Sequence, residues 1–514
     1  MSCAEILSVP GAPVKEYSWC LVVVLSFATS FSGCGGGSSS PAPDPTAPTA
    51  SLQASPAQLT PGQSASLSWT TSKATSVTIT PSISTTNLPT SGSATVAPSV
   101  TTKYVLTATG SAGTSTTASA TVTVGTIPLS PIAHLIVVMM QNNSFDHLFG
   151  TFPNANGLDP NLASYNQVDS GGVTVHPALL NNLAPGDLNH TQASYTAAYD
   201  SGKMDKYAFE NGDISMNYFD NTSVGTATDG TSHGVQTLWS YAQQYALADN
   251  FYASAMASEP SNVLYMTSAN VGTGTDAFGY PQLDACTAAA IKKDPNPYAT
   301  IDPPLPFQNV GDQMTANNIS WTWYQEDFNT EQDATCVDYV PQENPFQYFT
   351  TTANSSHVQN FNITDFSTTL SSSSAPAVIW IQPAPENSMH PGAANIGNGI
   401  EWLDNLIQTV KASSAWSSTA IVVVWDESGG WYDHVAPPQL TNTIGLGARV
   451  PVLLISPSAK TNYISHQQMD FVSILRFIQW NWNLGQFSDP GQAAREQQSG
   501  DLCDLLNVTC SAPQ

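Results

Sequence analysis

Two adjacent acids stand at the end of a strongly apolar segment of the chain. The segment IVVVW (421–425) is followed by Asp426 and Glu427, then by two glycines that permit a tight backbone turn, and then by Asp433 and His434. Neighbouring carboxylates repel each other unless a cation lies near them, and oxygen ligands favour a hard divalent ion such as Ca²⁺, Mg²⁺ or Mn²⁺. The pattern therefore predicts a metal site. The alternative is a capped turn whose acids face the solvent.

A second polar segment also follows an apolar run. The residues HLIVVMM (134–140) lead into Gln141, Asn142, Asn143 and Ser144, so that amides and a hydroxyl stand where the run ends. Amide oxygens can coordinate a hard cation, but they bring no formal charge. This segment is either a working metal or phosphate site or what remains of one.

Both motifs follow segments that have the pattern of buried strands. Continuous apolar runs recur at 133–140, 377–383, 419–427 and 450–457, and helical patterns lie between them. This alternation predicts an α/β fold with a mostly parallel central sheet and helices on both faces. Polar groups that follow such strands collect at one edge of the sheet. We assign this domain to residues 127–514.

The start of the chain has the composition of an export signal and a linker. An apolar stretch at 19–31 is too short for a typical membrane span, and a Gly-, Ser- and Pro-rich linker occupies 35–48. Residues 1–34 resemble a bacterial lipoprotein signal with Cys34 as the lipidated residue. An ordinary cleaved signal peptide and an uncleaved anchor are the alternatives. All three predict an exported protein, either secreted or held in the cell envelope.

Residues 49–125 have a different pattern. Apolar residues alternate with Ser and Thr, and Pro and Gly interrupt the pattern at short intervals. This period of two predicts a small antiparallel β-sandwich. The segment also resembles bacterial immunoglobulin-like modules, in which a Trp such as Trp69 fills the core. We interpret it as a spacer or adhesion module, because it carries no catalytic constellation.

Charge and cysteine content narrow the possible partners and the compartment. The 514 residues include 12 Lys plus Arg and 38 Asp plus Glu, giving a net charge of −26, so nucleic acid is not expected as a partner. Four cysteines lie beyond the leader, an even number that suits an oxidising compartment. We expect Cys503 to pair with Cys510, which leaves Cys286 and Cys336 as the second pair.

A series of ordered motifs resembles one family of enzymes. The segments QNNSFDHLFG, DLNHTQASYTAAYDSGKMD, LADNFYASAMASEPSNV, ENSMHPGA, DESGGWYDHVAPP and GARVPVLLISPSAK occur in the family's order between residues 130 and 510. They resemble bacterial phosphoesterases, including phospholipases C and secreted acid phosphatases, of the alkaline-phosphatase-like superfamily. The resemblance implies hydrolysis of phosphate esters by a metal-held Ser or Thr nucleophile.

The resemblance also implies roles for single residues. The metal ligands would be Asn142, Asp426 and Glu427, together with the position of Gln141. The groups that contact phosphate or transfer protons would be His190, His390 and His434.

Two departures from the family pattern affect the predicted site. Gln141 stands where the family has a metal-binding Glu, and Glu259 falls on the position of the nucleophile, flanked by Ser258 and Ser261. In one hypothesis Glu259 restores the lost charge, and Ser258, Ser261 or Glu259 itself acts as nucleophile. In a second, Glu259 activates water directly. In a third, the site binds phosphate or metal without hydrolysis.

The sequence therefore predicts an exported, metal-dependent phosphoesterase that acts on phosphate monoesters or phospholipid head groups and is tied to a membrane by an N-terminal lipid. The alternative is a surface lipoprotein that uses a degenerate phosphoesterase fold to bind phosphate, metal or cell-surface ligands. The sequence does not indicate the metal or the oligomeric state.

Overall fold

The structure is a computed structural model that describes most of the chain. The described residues are 47–59, 63–84, 87–125, 128–226, 232–256, 259–272, 305–326, 343–353, 356–372, 374–393, 395–440 and 445–510. The predicted signal, the predicted lipidation site Cys34, the cysteines Cys286 and Cys336, and Ser258 lie outside these ranges.

Seven strands near the N-terminus form two sheets around one core. They are β1 (Thr49–Ser55), β2 (Gln58–Leu59), β3 (Ala65–Ser72), β4 (Ala74–Thr80), β5 (Ser91–Val96), β6 (Thr102–Gly110) and β7 (Ser115–Val124), in the orders β1-β3-β5 and β2-β7-β6-β4. Along β3 the buried residues alternate with exposed Ser and Thr. Trp69 lies in this core, and its indole N–H donates to the Pro89 carbonyl at 3.0 Å. The predicted all-β region is confirmed, whereas the likeness to immunoglobulin-like modules stays a prediction.

An eight-stranded sheet forms the centre of the larger domain. Its strands are β8 (His134–Met140), β13 (Ala246–Ala248), β15 (Trp321–Glu326), β16 (Val358–Phe361), β17 (Val378–Gln382), β18 (Thr419–Trp425), β19 (Val452–Ile455) and β20 (Tyr463–Ser465). The order is β16-β15-β17-β8-β18-β19-β13-β20, and only β19 runs antiparallel to its two neighbours. Strands β17, β18 and β19 are buried at every residue, as expected for a sheet covered on both faces. The predicted α/β fold class is confirmed.

Ten α-helices and several short strands complete the described part of this domain. The helices are α1 (Phe145–Phe149), α2 (Gln192–Tyr199), α3 (Tyr207–Asn211), α4 (Val235–Gln244), α5 (Glu259–Ser268), α6 (Val310–Ala316), α7 (Ile363–Leu370), α8 (Ile396–Ala412), α9 (Phe471–Asn481) and α10 (Pro490–Glu496). The short strands are β9 (Gln167–Val168), β10 (Thr174–Val175), β11 (Val224–Thr226), β12 (Ser232–Gly234), β14 (Phe251–Tyr252) and β21 (Met469–Asp470).

The register of the central strands places the two sequence motifs side by side. Strands β8 and β18 are parallel neighbours, and Met140 pairs with Trp425 at their carboxyl ends. The segment that starts at Gln141 and the one that starts at Asp426 therefore leave the sheet at adjacent points. Strand β17, on the other side of β8, ends at Gln382 at the same edge. A polar site at this edge follows from the strand order.

Three further features concern an aromatic segment, a disulfide and the helices. The aromatic segment at 321–326 is the buried strand β15 within the sheet, so it belongs to the core. The disulfide between Cys503 and Cys510 is present. Among the described residues, every helix is too short or too polar to cross a bilayer.

Candidate active site

The carboxylate of Asp426 joins the two segments that leave β8 and β18. The backbone N–H groups of Asn142 and Glu427 both donate to Asp426 Oδ1, each at 2.8 Å. Asn142 has a φ of 60°, in the left-handed region that an asparagine tolerates better than most residues. Gly429, with a φ of 62°, packs directly on the Asn142 backbone carbonyl, where a Cβ would collide. The carboxylate of Asp426 and the backbone of Gly429 thus hold Asn142 in place.

The side-chain amide of Asn142 lies between His390 and Asp426. With its nitrogen 2.9 Å from His390 Nε2, its oxygen faces the Asp426 carboxylate oxygens. In the reverse orientation the nitrogen would lie 3.1 and 3.2 Å from those oxygens and the amide oxygen would face His390. The reverse orientation satisfies both ends of the amide by hydrogen bonds, whereas the first would need a cation between the amide oxygen and the carboxylate oxygens.

Two buried glutamates meet at the side chain of Gln141. Its Nε2 donates to Glu259 Oε2 at 3.0 Å and to Glu343 Oε1 at 2.8 Å. Sequence reasoning missed Glu343, because it belongs to a stretch without any motif and reaches the site only through the fold. Two acids, Glu259 and Glu343, therefore lie beside Gln141 and could supply the charge that its amide lacks.

Burial perturbs the ionisation of every acid in this site. It raises the pKa values of Asp426, Glu427 and Glu343 to about 7. Burial, together with the nearby charges of Glu343 and Asp426, raises the pKa of Glu259 well above its usual range. Acids this close together and this far from water require a proton or a cation to coexist.

Two histidines face the acids from one side. The Nδ1 atoms of His190 and His390 each lie 2.7 Å from a backbone carbonyl, of Leu188 and Pro391 respectively, so both donate there. Each ring therefore directs Nε2 into the site. His390 Nε2 lies 2.9 Å from Asn142, His190 Nε2 lies 3.8 Å from Glu427 Oε1, and the ring centroids are 5.9 Å apart.

The two rings are driven towards different protonation states. Burial opposes charge on His190, but the carboxylates of Glu427 and Asp187 outweigh it and raise the pKa of His190. Burial lowers the pKa of His390, and the neighbouring His190 lowers it further. His190 is thus suited to donate a proton or a charged hydrogen bond, and His390 to accept one. A ligand atom of Asp187 lies within 4.8 Å of ligand atoms of both rings.

Glu427 is held by a tyrosine that was not identified as a site residue. The hydroxyl of Tyr195, on α2, donates to Glu427 Oε2, and the Gly429 N–H donates to the same oxygen at 3.1 Å. Tyr195 lies five residues after His190 in a segment that carried the family resemblance, so its position was a usable signal.

His434 belongs to a different cluster, centred on a buried arginine. Its Nδ1 lies 2.6 Å from Asp146 Oδ2, and Arg449 donates to Asp146 at 3.0 Å and to Asp433 at 2.9 Å. Arg449 is fully buried. The recorded contacts of His434 are with Asp146, Asn156 and Arg449, so the structure places it in this ion-pair network. Its predicted catalytic role stays a prediction.

The residues at the nucleophile position lie at the start of α5. Glu259 and Ser261 are buried, and Glu259 Oε1 and Ser261 Oγ have no hydrogen-bond partner among the described residues. Unpaired buried oxygens of this kind mark a place where a cation, a water or a substrate group belongs. Ser258 lies outside the described residues, so the choice between the two serines stays open.

The donor set fits a hard divalent cation. Asn142, Asp426, Glu427 and Glu259 offer oxygen atoms, two of the acids come from one strand end, and the unpaired Oε1 of Glu259 is available. By contrast, Asp146 and Asp433 already form ion pairs with Arg449. Cys503 and Cys510, which lie near Asp501, are oxidised to a disulfide. The roles of individual ligands stay predictions.

Comparison with known proteins gives the family. The sequence profile of the Phosphoesterase family matches residues 132–485, and the chain belongs to this family of phosphoric ester hydrolases.

Two curated relatives are phospholipases C. The chain is 22% identical to the non-hemolytic phospholipase C of Pseudomonas aeruginosa over 427 residues, which cover 74% of this chain and 58% of that protein. It is 25% identical to phospholipase C B of Mycobacterium tuberculosis over 434 residues, covering 74% of this chain and 78% of the relative. The chain thus spans little more than half the length of the Pseudomonas protein.

A solved structure of a Vibrio parahaemolyticus protein in the alkaline phosphatase superfamily is also similar. It has a TM-score of 0.32 and 11% identity, and the match covers 69% of this chain and 77% of that one.

Proposed function

We propose that this protein is an exported, metal-dependent phosphoesterase that hydrolyses phosphate esters, with phospholipid head groups as the favoured substrate class. One observation carries the proposal: the oxygen donors Asn142, Asp426 and Glu427 converge beside the Nε2 atoms of His190 and His390. The names of the phospholipase C relatives favour the lipid substrate.

The residues of this chain divide the chemistry between them. A divalent cation held by Asn142, Asp426, Glu427 and Glu259 would neutralise phosphoryl oxygens and lower the pKa of a bound hydroxyl. His190, whose pKa is raised, donates a hydrogen bond to a phosphoryl oxygen or a proton to the leaving group. His390, whose pKa is lowered, accepts the proton of the attacking group.

The first experiment asks whether the site hydrolyses anything. The purified protein is assayed with an aryl phosphate, a phosphodiester and phosphatidylcholine vesicles in the presence of Ca²⁺, Mg²⁺ or Mn²⁺. Turnover should disappear with a chelator and return with metal, and Asp426→Asn should lower kcat by roughly a hundredfold or more. A folded protein that turns over none of the three substrates with any of these ions contradicts the proposal.

The second experiment asks what Glu259 does. If Glu259 is a ligand or a base, Glu259→Ser should abolish turnover. If Glu259 has replaced a working nucleophile, the same substitution should raise turnover and allow a phosphoenzyme to be trapped by acid quench. Glu386→Gln, an exposed acid of the same charge, is the matched control and should leave turnover unchanged.

A binding protein is the second candidate, and the specific observation in its favour is Glu259 at the nucleophile position beside the uncharged Gln141. Phosphate binding by calorimetry without hydrolysis of any ester would establish this alternative.

For the localisation, we propose a lipid-anchored cell-envelope protein with Cys34 as the modified residue. Metabolic labelling with a radioactive fatty acid should mark the protein, and Cys34→Ser should remove the label. An unlabelled protein would contradict the anchor.

A further inference from the structure

We propose that Glu343, held by three glutamine side chains, supplies the negative charge that the cation site lacks because residue 141 is Gln. In this arrangement Gln141 is a positioning residue that connects Glu343 to Glu259. The inference deepens the proposed function, since it rests on the same site holding a cation.

Three glutamines come together on Glu343 because of the strand order. Gln325, Gln382 and Gln141 lie at the carboxyl ends of β15, β17 and β8, which are consecutive strands of the sheet. Gln141 donates to Glu343 Oε1 at 2.8 Å, and Gln382 and Gln325 donate to Oε2 at 3.0 and 3.4 Å. Both carboxylate oxygens therefore accept hydrogen bonds from amides, which is the pattern of an ionised acid.

The orientation of one of these amides is fixed independently. The indole N–H of Trp323 donates to Gln325 Oε1 at 3.1 Å. The nitrogen of the same amide must then face Glu343, because an indole can only donate. Glu343 itself is 6% exposed, so its charge is separated from bulk water. A buried anion without a cation is costly, and amide donors alone do not neutralise it.

Among the described residues, no Lys or Arg forms an ion pair with Glu343, Glu259 or Asp426. The recorded Lys and Arg ion pairs all involve other acids, namely Asp146, Asp200, Asp433, Asp470 and Asp504. The partner of Glu427 is His190. Glu343, Glu259 and Asp426 can therefore coexist only if protons or a bound cation balance their charge, and the inference concerns the cation-bound form.

The side chain of Gln141 links Glu343 to Glu259, which is one of the proposed cation ligands. Its amide nitrogen contacts Glu343 and Glu259 together, and Glu259 keeps Oε1 unpaired. A Glu at position 141 would bring the charge directly. In this chain the amide keeps the geometry, while Glu343 brings the charge from the segment between β15 and β16.

The test is the affinity of the full-length protein for Mn²⁺, Ca²⁺ and Mg²⁺, measured by calorimetry without substrate. Glu343→Gln should weaken binding of the preferred ion at least tenfold, and the control Glu386→Gln should leave it unchanged. The double variant Gln141→Glu with Glu343→Gln returns an acid to the site and should recover affinity to within about threefold of wild type. A purely structural role for Glu343 would not be rescued in this way.

The outcomes separate this inference from the proposed function. A wild-type protein that binds none of the ions, or a Glu343→Gln protein that binds as wild type does, overturns the inference. If Glu343→Gln does not fold, the double variant decides: affinity near wild type supports the inference, and affinity reduced tenfold or more overturns it. Glu343-dependent cation binding without hydrolysis of any ester overturns the proposed function alone.

Discussion

Single side chains in this protein carry charge states far from those of free amino acids. The acids around Gln141 are the clearest case, and His147 is another. Its ring stacks on Trp431 with centroids 3.7 Å apart, and its Nδ1 lies 2.7 Å from the Asn217 carbonyl. Nε2 is buried without a partner among the described residues. Burial therefore lowers the pKa of His147 to about 3.

We predict that His147 makes the folded state sensitive to mild acid. Its pKa of about 3 in the folded state lies below the unfolded value near 6.5, so its stabilisation is complete above pH 6.5 and is lost as the pH falls. Between pH 6.5 and 4.5 the loss is about 2.3 kcal/mol, because the ring of the unfolded chain is already half protonated at pH 6.5. Urea unfolding across this range should show a flatter pH dependence for His147→Phe than for wild type.

Wild type must be compared with His147→Phe because buried acids in both proteins change the stability with pH in the opposite direction to His147. The pKa values of Asp426, Glu427 and Glu343 are raised to about 7, so their protonation favours the folded state as the pH falls. These acids are common to both proteins, and their effect cancels in the difference. Equal pH slopes for the two proteins would contradict the assignment to His147.

At the scale of elements, one buried arginine holds several chain segments around the site. Arg449 precedes β19 and donates to Asp146 on α1 and to Asp433 in the segment after β18. It also donates to the backbone carbonyls of Asn156 and Asp249, each at 2.7 Å. The network fixes the loops at the carboxyl edge of the sheet relative to one another.

Removing this arginine should unfold or strongly destabilise the protein. Arg449→Met removes the guanidinium from the buried carboxylates of Asp146 and Asp433, at a cost of about 3–5 kcal/mol in the free energy of unfolding. The matched control is Lys206→Met, because Lys206 is half-exposed and pairs with Asp200 at 3.3 Å. Its loss should leave the free energy of unfolding nearly unchanged, because exposed ion pairs contribute little. Similar unfolding midpoints in urea for the two variants would contradict the role of Arg449.

The sequence predicted the elements better than their mutual arrangement. Apolar runs identified β8, β17, β18 and β19, because strands that are buried on both faces consist almost entirely of apolar residues. The direction of β19 was not predictable, since an antiparallel strand buried on both faces has the same composition as a parallel one. Asp426 and Glu427 were found because they are adjacent in sequence. Glu343 was not, because its neighbours come from three separate strands.

At the scale of the whole molecule, negative charge dominates. The net charge is −26, and one of the 12 basic residues, Arg449, is fully buried where it does not offset the surface potential. An anionic substrate therefore approaches against a repulsive field, whereas a zwitterionic head group is little affected.

We predict that salt accelerates the reaction with anionic substrates. Raising the ionic strength from 10 to 150 mM shortens the screening length from about 30 to about 8 Å. At a saturating divalent ion, kcat/KM for an aryl phosphate dianion should rise roughly two- to tenfold. A neutral-overall phosphocholine ester is the internal control and should change little. A kcat/KM for the dianion that falls with salt would indicate that a local positive field dominates the approach.

The contact between Gly429 and the Asn142 carbonyl also restricts how this site can change through mutation. Any side chain at position 429 displaces the backbone that carries Asn142, so a single substitution there removes a predicted ligand without filling its place. Gln141, Glu259 and Glu343 meet through their side chains alone, and their charges can be exchanged while the backbone stays fixed. The charge of the site can therefore change through this trio one substitution at a time, whereas a change at Gly429 also displaces Asn142.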